Sequence, residues 1–278
     1  MQLRKAYKIG ITAAIAICLL IIYIFIEPYW LRIKNITFND KDIPANFNGL
    51  KIVFAADFHH GPTTGLPFIE HVVNKINEQN PDIVLLGGDY VYRDKKYIEP
   101  VFEVLNEIKA PLGVFAVLGN HESVKWLEIT KQCMQKYDIE LLDNKSKWIM
   151  RGNDRIKIGG VSNFWKDGQR LTKTMGDITE EDFSILLMHN PDSVPYIKTK
   201  NIDLVLAGHT HGGQVSLFGL WSPCLPIVAG QKLAYGWFEN DYTKTYVTSG
   251  IGTVFPPIRF CMRPEIVVIT FHKEMEHR

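Results

Sequence analysis

Five short apolar runs recur along the chain after residue 50, and each is bounded by polar or turn-forming residues. The runs are residues 52–56, 83–88, 114–119, 184–188 and 203–208. Apolar and polar positions do not alternate within them, which is typical of strands covered on both faces rather than of strands with one face in water. Between some of the runs the apolar residues have helical spacing, most clearly at 69–79 and 99–108. The pattern therefore predicts β and α elements in alternation.

The segments 148–161 and 244–271 are rich in strand-forming residues. Because strands buried on both faces need a layer on each side, two architectures fit: helices on both faces of one parallel sheet, or two sheets packed face to face inside helices.

A polar connector at about residues 35–49 precedes the first run. No internal repeat or low-complexity linker follows it, so we predict one domain over residues 35–278, a size that a single core serves.

The N-terminal segment, residues 1–34, carries a different pattern. Residues 9–26 hold no charge, and as a helix they rise roughly 27 Å, enough to cross the hydrocarbon core of a bilayer. A cleaved signal peptide would have a shorter apolar region followed by small residues, whereas here an acidic residue, a proline, Tyr29 and Trp30 follow. We therefore predict an uncleaved, single-pass transmembrane signal anchor, with Tyr29 and Trp30 at the membrane interface.

The orientation of this anchor depends on the basic residues that flank it. Equal numbers lie before and after the apolar run, so the positive-inside count is a tie. They are Arg4, Lys5 and Lys8 on one side and Arg32, Lys34 and Lys41 on the other. The free amino terminus adds a positive charge to the first group, which favours an N-terminus in the cytoplasm and a body outside the membrane.

Composition narrows the functional classes. The chain has 31 Lys and Arg against 30 Asp and Glu, and 46% of its residues are hydrophobic, so it is neither a disordered chain nor a polytopic membrane protein. The basic excess lies in residues 1–34, which leaves a mildly acidic body and argues against a nucleic-acid partner. The four cysteines are widely spaced, with no CxxC pair, so they predict neither a disulfide framework nor a zinc site formed by cysteines.

Each of the five apolar runs ends in residue types that bind metal ions. These are Asp57 and His59, Asp89, Asn120 and His121, His189, and His209 and His211. Ligands collect at strand ends in α/β sheets, so five strand ends at one rim would pool carboxylates, an amide and imidazoles. Mixed ligands of this kind suit Mn²⁺, Fe or Zn²⁺, and a shared carboxylate would hold two ions about 3.5–4 Å apart. The sequence therefore predicts a site for two divalent metal ions.

Taken alone, most of these motifs have a simpler explanation. An Asp at a strand end is more often a helix cap or a turn residue, and His189 by itself would be a satisfied core histidine. Asn120 and His121 could belong to a capping box. The pair His209 and His211, flanked by glycines, makes a poor core and a good ligand pair. All five motifs together are explained only by a common site.

In identity and order the motifs resemble the calcineurin-like metallophosphoesterase superfamily, and within it a membrane-anchored or exported bacterial branch. The motifs are Asp57-x-His59, Gly88-Asp89, Gly119-Asn120-His121-Glu122, His189 and Gly208-His209-x-His211, with a similar tail at 257–266. The resemblance spans about residues 50–271 and implies a four-layer α/β/β/α sandwich, the second of the two architectures above. It also implies that the anchor lies in a bacterial cell membrane.

The resemblance implies two half-sites that share one carboxylate, Asp89. Their ligands would be Asp57, His59 and His211 for one ion and Asn120, His189 and His209 for the other. His121 would face the leaving group as the catalytic residue, and Arg93 matches a phosphate-contacting arginine. The chain departs from the protein-phosphatase branch at Tyr92, where that branch has an aspartate that orients the catalytic histidine. Asp94 is the nearest substitute for that aspartate.

These residues predict a hydrolase of phosphoric ester or anhydride bonds that uses two metal ions. The sequence has no GxSxG, Walker or CxxxxxR signature that would indicate another nucleophile or phosphate cradle. One alternative is a non-catalytic interaction module tethered at the membrane, but such a module has no reason to keep every ligand. A protein Ser/Thr phosphatase is the other alternative, and Tyr92 argues against it.

The anchor narrows the substrate, since it holds the site near lipid head groups. A phosphorylated amphiphile is expected, such as UDP-diacylglucosamine, whose pyrophosphate other members of the superfamily hydrolyse; a phosphorylated small molecule is the other class. Apolar residues between the motifs would either form an acyl-binding lip or simply pack a loop; they are Phe164, Trp165, Leu217, Phe218, Leu220 and Trp221. A nucleotide-linked lipid lies on the cytoplasmic side, so this substrate and the external body favoured above exclude each other.

Overall fold

Two six-stranded sheets lie face to face at the centre of the protein, in a computed structural model that describes residues 2–122, 126–161 and 171–274. The first sheet contains β1 (Arg32–Asp40), β2 (Lys51–Ala55), β3 (Ile83–Leu86), β4 (Val114–Ala116), β5 (Glu140–Leu141) and β12 (Glu265–Lys273). The second contains β6 (Lys145–Arg151), β7 (Asp154–Gly160), β8 (Ser184–Met188), β9 (Leu204–Ala207), β10 (Gly236–Glu239) and β11 (Lys244–Val247). Their spatial orders are β1-β12-β2-β3-β4-β5 and β10-β11-β9-β8-β7-β6.

Parallel strands form the centre of each sheet. In the first sheet β2, β3, β4 and β5 run parallel, and in the second β7, β8, β9 and β11 do so. Antiparallel pairing joins β12 to β2 and adds the edge strands β6 and β10 to the second sheet. Because the carboxyl ends of parallel strands emerge at one edge of a sheet, the loops after β2, β3 and β4 share one edge, as do those after β8 and β9.

Helical elements cover the outer face of each sheet. They are α2 (Leu66–Glu78), α3 (Ile98–Leu105) and α4 (Leu127–Lys136) on the first sheet, and α5 (Leu171–Met175) with the 3-10 segments Pro191–Tyr196 and Gln231–Leu233 on the second. Along β2, Ile52 and Phe54 pack between the sheets, whereas Val53 and Ala55 pack against the helices. All four are fully buried, and each large apolar side chain contributes roughly 1.5–3 kcal/mol by leaving water. The layer order helix, sheet, sheet, helix confirms the four-layer sandwich.

The predicted elements agree with the structure except at the start of the body. The five apolar runs coincide with β2, β3, β4, β8 and β9, and the two predicted helices with α2 and α3. The polar connector predicted at 35–49 is wrong in its first part, because β1 begins at Arg32 and pairs in parallel with β12. Only Ile36 and Phe38 of this edge strand are buried, which is too weak an apolar signal to identify it. The division of the chain after residue 34 stays a prediction.

A long helix, α1 (Gln2–Ile26), precedes the sandwich and joins it at its C-terminal end. Within the described residues it is the one helix that is long and apolar enough to cross a membrane. The carbonyl of Ile24 accepts a hydrogen bond from the backbone nitrogen of Arg259 at 3.0 Å. Glu27, in the following turn, is fully buried, and its carboxylate accepts hydrogen bonds from the backbone nitrogens of residues 261 and 262. The end of this helix is therefore part of the folded body.

Candidate metal centre

The loops after β2, β3, β4, β8 and β9 converge at one end of the sandwich and bring the predicted site residues together. Their backbone is held in the left-handed region at Asp57 (φ 59°), His59 (47°), Asp89 (55°), His209 (72°) and His211 (52°). Residues other than glycine seldom adopt this region, and each such residue costs about 1–3 kcal/mol. Strain of this kind collects at functional sites, where the surrounding structure has to fix the direction of a side chain.

One cluster is formed by Asp57 and His59 after β2 and by His211 after β9. Their ligand atoms all lie within 4.8 Å of one another, and all three side chains are buried. Nε2 of His59 lies 3.0 Å from Nε2 of His211, which in turn lies 4.0 Å from Oδ1 of Asp57. The Asp57 carboxylate also accepts the backbone N–H of His209, at 3.0 and 3.1 Å to its two oxygens. Residues from both sheets therefore build this half of the site.

A second cluster is formed by Asp89, Asn120, His189 and His209. Nε2 of His189 lies 3.0 Å from Oδ1 of Asn120, 3.1 Å from Nδ1 of His209 and 3.2 Å from Oδ2 of Asp89. The other ring nitrogen of His189 donates to the carbonyl of Gly87 at 2.8 Å, which orients its ring with Nε2 towards the cluster. Histidines that bind metals usually donate their other ring N–H to a carbonyl or carboxylate in this way.

Asp89 lies between the two clusters. Its Oδ2 is 3.5 Å from Nε2 of His59 and 3.2 Å from Nε2 of His189. The backbone approaches closely here: a Cβ built on Gly208 would lie 2.7 Å from Oδ2 of Asp57, and one on Gly119 would collide with the carboxylate of Asp89. Glycine is therefore required at these two positions to keep the carboxylates in place.

Burial and charge set the protonation of the site. Burial lowers the pKa of His59 to about 3 and that of His209 to about 4, so both imidazoles are neutral at pH 7. Burial also raises the pKa of Asp57 to about 7, although the nearby His189 opposes this. Burial acts in the same sense on Asp89, but the neighbouring histidines, led by His189, outweigh it and hold its pKa well below the usual range. Burial alone would lower the pKa of His189, but the contact with Asp89 outweighs it and raises this pKa to about 9, so a bound metal ion would have to displace a proton from this ring.

The residues present fit divalent metal ions. In the described chain, Nδ1 of His59 and Nδ1 of His211 are buried without a hydrogen-bond partner, while the Nε2 atoms of these two rings face each other. Each neutral imidazole carries one N–H, and with that proton on Nδ1 both Nε2 atoms present a lone pair to the space between the rings, an arrangement that suits a cation. The mixture of imidazole, carboxylate and amide donors suits Mn²⁺, Fe or Zn²⁺ better than Mg²⁺ or Ca²⁺.

His121 lies at the edge of the clusters, with a quarter of its side chain exposed. Its Nε2 is 3.9 Å from Oδ2 of Asp89, and its ring packs against the rings of His59 (4.8 Å between centroids) and Tyr92 (5.4 Å). The suggestion that Asp94 orients His121 is not supported, because the Asp94 carboxylate instead accepts the backbone N–H of Lys96 and caps a 3-10 turn. The ring of His121 packs against Tyr92, and the backbone N–H of His121 donates to Oδ1 of Asp89 at 3.0 Å.

Arg93 is the outermost of the predicted site residues. It is exposed, and its guanidinium lies 5.0 Å from the centroid of the Tyr92 ring and 5.7 Å from that of Phe255. These aromatic contacts hold it next to the ring that packs on His121. A cation in this position is suited to contact a phosphate that enters the site.

Two buried ionisable residues support the site and are assigned no role by the sequence pattern. Glu122 accepts backbone N–H groups of residues 89–91 and Gly119, which fixes the loop that carries Asp89. Arg259 donates to the carbonyls of residues 249, 250, 252 and 262, and the amide of Gly252 in turn donates to the carbonyl of Asp57. The acid after Asn120-His121 and the tail at 257–266 were visible in the sequence, but neither pattern specifies backbone partners.

An apolar groove of about 380 Å³ adjoins His211. Its walls include Val215, Pro226, Phe255 and Ile258. Part of the predicted lip lies next to it, on a short hairpin with exposed Leu217, Phe218, Leu220 and Trp221. The other two predicted lip residues, Phe164 and Trp165, lie outside the described residues.

Comparison with known proteins agrees with this geometry. Residues 50–213 match the family model described as calcineurin-like phosphoesterase. An uncharacterized metallophosphoesterase of Aquifex aeolicus is 31% identical over 259 residues, which cover 89% of this chain and 94% of that protein. Phosphodiesterase YaeI of Escherichia coli is 29% identical over 252 residues, covering 88% and 90%. A zebrafish transmembrane protein with metallophosphoesterase domain is 29% identical over 255 residues, covering 86% of this chain and 56% of the fish protein.

Proposed function

The chain belongs to the calcineurin-like phosphoesterase family of metal-dependent phosphoester hydrolases, and on that premise we propose that it cleaves phosphodiester or pyrophosphate bonds with two divalent ions. The observation that carries the proposal is the position of Asp89, whose Oδ2 lies 3.5 Å from Nε2 of His59 and 3.2 Å from Nε2 of His189. A carboxylate oxygen within reach of two histidine clusters is what a bridged pair of ions needs.

Each group at the site then has a role. Two bound ions would acidify a water molecule and neutralise the charge that develops on the phosphoryl oxygens. Their ligands would be Asp57, His59 and His211 for one, Asn120, His189 and His209 for the other, and Asp89 for both. His121, partly exposed at the edge, would give a proton to the leaving oxygen, and the ring of Tyr92 would hold it in place. Arg93 would contact the substrate phosphate.

The experiment that tests this function is an assay of the purified full-length protein in detergent. We expect hydrolysis of bis-p-nitrophenyl phosphate that depends on Mn²⁺, Fe or Zn²⁺, together with nearly two metal equivalents per chain. A chelator should abolish both, and the metal should restore both. A protein that holds no transition metal and shows no metal-stimulated cleavage of diesters, monoesters or pyrophosphates would refute the proposal. Activity on phosphopeptides alone would indicate a protein phosphatase instead.

We propose further that α1 is an uncleaved membrane anchor. The last turn of α1 contacts the body through the carbonyl of Ile24 and the ring of Tyr23, and a cut after Glu27 would also remove the buried carboxylate that binds the amides of residues 261 and 262. The proposed orientation, with the N-terminus in the cytoplasm and the body outside, follows from the charges that flank the helix. Mass spectrometry of the membrane-bound protein should find residues 1–26 intact, and a reporter fused after Phe271 should be active only outside the cytoplasm. A shortened chain would contradict the anchor, and cytoplasmic reporter activity the orientation.

The proposed substrate is a phosphorylated amphiphile in the same membrane. The apolar groove beside His211 supports it, since an acyl chain could lie there while its phosphate reaches the metal ligands. A lipid pyrophosphate such as UDP-diacylglucosamine fits the chemistry only if the body faces the cytoplasm, so the reporter experiment also decides between lipid classes. Mass spectrometry of membrane lipids incubated with the protein and Mn²⁺ should detect a cleaved phospholipid or glycolipid. Rapid cleavage of soluble diesters with no change in any lipid would refute the lipid substrate alone.

A further inference from the structure

A short hairpin near the metal centre exposes large apolar side chains at four of its five positions from 217 to 221. Leu217 and Trp221 pair across it, and its turn is at Phe218 and Gly219, both with positive φ. Leu217 is 52% exposed, Phe218 82%, Leu220 83% and Trp221 49%. Single exposed apolar residues are ordinary, but a contiguous apolar patch on a folded protein marks a surface with a partner. We call residues 215–221 the apolar hairpin.

The hairpin is tied to the end of α1 by a single intervening segment. The amide of Ser216 donates to the carbonyl of Phe260, and the amide of Phe260 donates to the carbonyl of Gln214, each at 2.9 Å. The ring of Phe260 in turn meets that of Tyr23 in α1, with 6.0 Å between centroids. Tyr23 lies within the apolar run of α1 and only three residues, about 4.5 Å along the helix, before its end at Ile26. The base of the hairpin therefore lies at the level where α1 leaves a bilayer.

The joint between α1 and the body is rigid, so this level is maintained. The buried carboxylate of Glu27 accepts the backbone amides of residues 261 and 262 at 2.9 and 2.8 Å. Arg263 donates to the carbonyl of Trp30 at 2.8 Å, and its guanidinium lies 4.3 Å from the centroid of the Trp30 ring. Trp30 and Tyr29 are more than half exposed, as aromatic residues at a membrane interface are.

The loop at 254–258 extends the same patch. The side chain of Gln214 bonds the backbone of this loop at both ends: its oxygen accepts the amide of Val254, and its nitrogen donates to the carbonyl of Ile258. Phe255, on this loop, is 67% exposed and lines the apolar groove beside His211. The hairpin, the groove and the metal centre are therefore fixed relative to one another.

We propose that the apolar hairpin and Phe255 insert into the acyl region of the bilayer that α1 crosses, so that the groove and the metal centre open onto the membrane surface. The patch contacts lipid of the leaflet from which α1 enters the body, because the rigid joint between α1 and the body holds the patch at the depth of that leaflet. The inference rests on the proposed anchor but not on the proposed hydrolysis. Insertion into lipid removes from water the side chains of Phe218 and Leu220, which are exposed in the folded body.

The test uses the full-length chain in lipid nanodiscs whose acyl chains carry bromine, which quenches tryptophan emission on contact. The wild-type chain has six tryptophans. If Trp221 lies in lipid, Trp221→Phe removes a strongly quenched emitter, and the quenched fraction of the remaining emission falls. Trp148→Phe is the matched control, because Trp148 lies on β6, at the opposite edge of the second sheet from β10, and its loss should raise that fraction. A rise in both variants would overturn the proposal.

A second comparison separates the hairpin from the anchor. In a chain that carries both Phe218→Ser and Leu220→Ser, the additional change Trp221→Phe should no longer lower the quenched fraction of the emission. In a chain that carries Met150→Ser instead, Trp221→Phe should lower that fraction as it does in the wild type. Met150 is a matched control, because it is 55% exposed on β6, next to the turn that joins β6 to β7. Flotation of the full-length chain with vesicles tests the anchor independently. A chain that floats but shows no quenching of Trp221 keeps the anchor and refutes the docking of the hairpin.

Discussion

At the scale of single residues, one carboxylate connects the two halves of the site. Oδ2 of Asp89 lies 3.5 Å from His59, which follows a strand of the first sheet, and 3.2 Å from His189, which follows a strand of the second. Asp89→Asn keeps the shape of the side chain and removes its charge. We expect the metal content to fall below that of the wild type, and turnover of bis-p-nitrophenyl phosphate to fall on the order of 10²-fold or more. Elemental analysis and initial rates measure the two quantities.

The control for Asp89→Asn is Asp94→Asn. Asp94 is exposed and its carboxylate caps a 3-10 turn, so the same chemical change there should leave metal content and rate near those of the wild type. If the two variants behave alike, Asp89 does not bridge the clusters.

His121 tests a different step, the departure of the leaving group. Its imidazole is partly exposed beside Asp89, and among the proposed ligand sets it belongs to neither, so His121→Ala should leave metal content intact. Loss of a proton donor slows turnover roughly 10²–10⁴-fold. Esters with poor leaving groups should suffer most, because p-nitrophenoxide leaves without a proton. An equal loss for both kinds of ester would show that His121 only positions the phosphate.

The sequence identified the candidate ligands and missed the residues that support them, for a physical reason. Two histidines at 209 and 211 among glycines, or Asn120-His121 after a buried strand, have few uses in a core, so the residue types alone indicated a site. Glu122 and Arg259 act through backbone amides and carbonyls, which are present at every position and leave no signature in the sequence. Acidic and basic side chains of their types are mostly found on surfaces, so only the structure shows them buried.

At the scale of elements, burial on both faces decided which strands could be predicted. The runs of β2, β3, β4, β8 and β9 are apolar throughout because one face meets the other sheet and the other face meets helices. β1 is an edge strand with only Ile36 and Phe38 buried, and its pairing with β12 spans more than two hundred residues of sequence. A long-range contact of this kind has no local signal, so the sequence pattern predicts only a connector there.

Three carboxylates at the ends of β1 and β9, on the side of the sandwich opposite the metal centre, predict how the stability of the protein depends on pH. Asp203 lies beside Asp40 and Asp42, and burial, reinforced by these two carboxylates, raises its pKa to about 7. A carboxyl whose folded pKa exceeds its unfolded value, about 3.9, binds more protons in the folded state, so stability falls as pH rises from about 4 to about 7. Asp203→Asn removes this loss of stability at high pH, and its side-chain oxygen can still accept the backbone N–H of Ser184.

We expect Asp203→Asn to stabilise the protein by about 1–2 kcal/mol at pH 8 and by clearly less at pH 5, after allowance for partial exposure of the site. Thermal unfolding at both pH values measures the difference. The same gain at both values would mean that the charge of Asp203 is not responsible.

At the scale of the whole molecule, the N-terminal segment belongs to the folded body as well as to the proposed membrane anchor. Glu265, at the start of β12, is fully buried, and its carboxylate is paired with the guanidinium of Arg32 and accepts hydrogen bonds from Tyr235 and Tyr246. Removal of the partner of a fully buried ion pair costs about 3–5 kcal/mol. Because Arg32 is about a third exposed and the two tyrosines still donate to Glu265, we expect a cost at the lower end of that range. A chain cut after residue 34 loses Arg32 and, with it, Glu27.

Chains that begin at residue 27 and at residue 35 should therefore differ, although both lack α1 and both retain every proposed metal ligand. The chain from 27 keeps the contacts of Glu27 and Arg32 and should be soluble, folded and active on small diesters. The chain from 35 should unfold on the order of 10 °C lower, since each kcal/mol shifts the midpoint of a body of this size by about 2–4 °C. Arg32→Met in the longer chain should reproduce most of the loss. Equal unfolding midpoints for the two chains would show that Glu27, the ion pair of Arg32 and the first three residues of β1 contribute nothing to the fold.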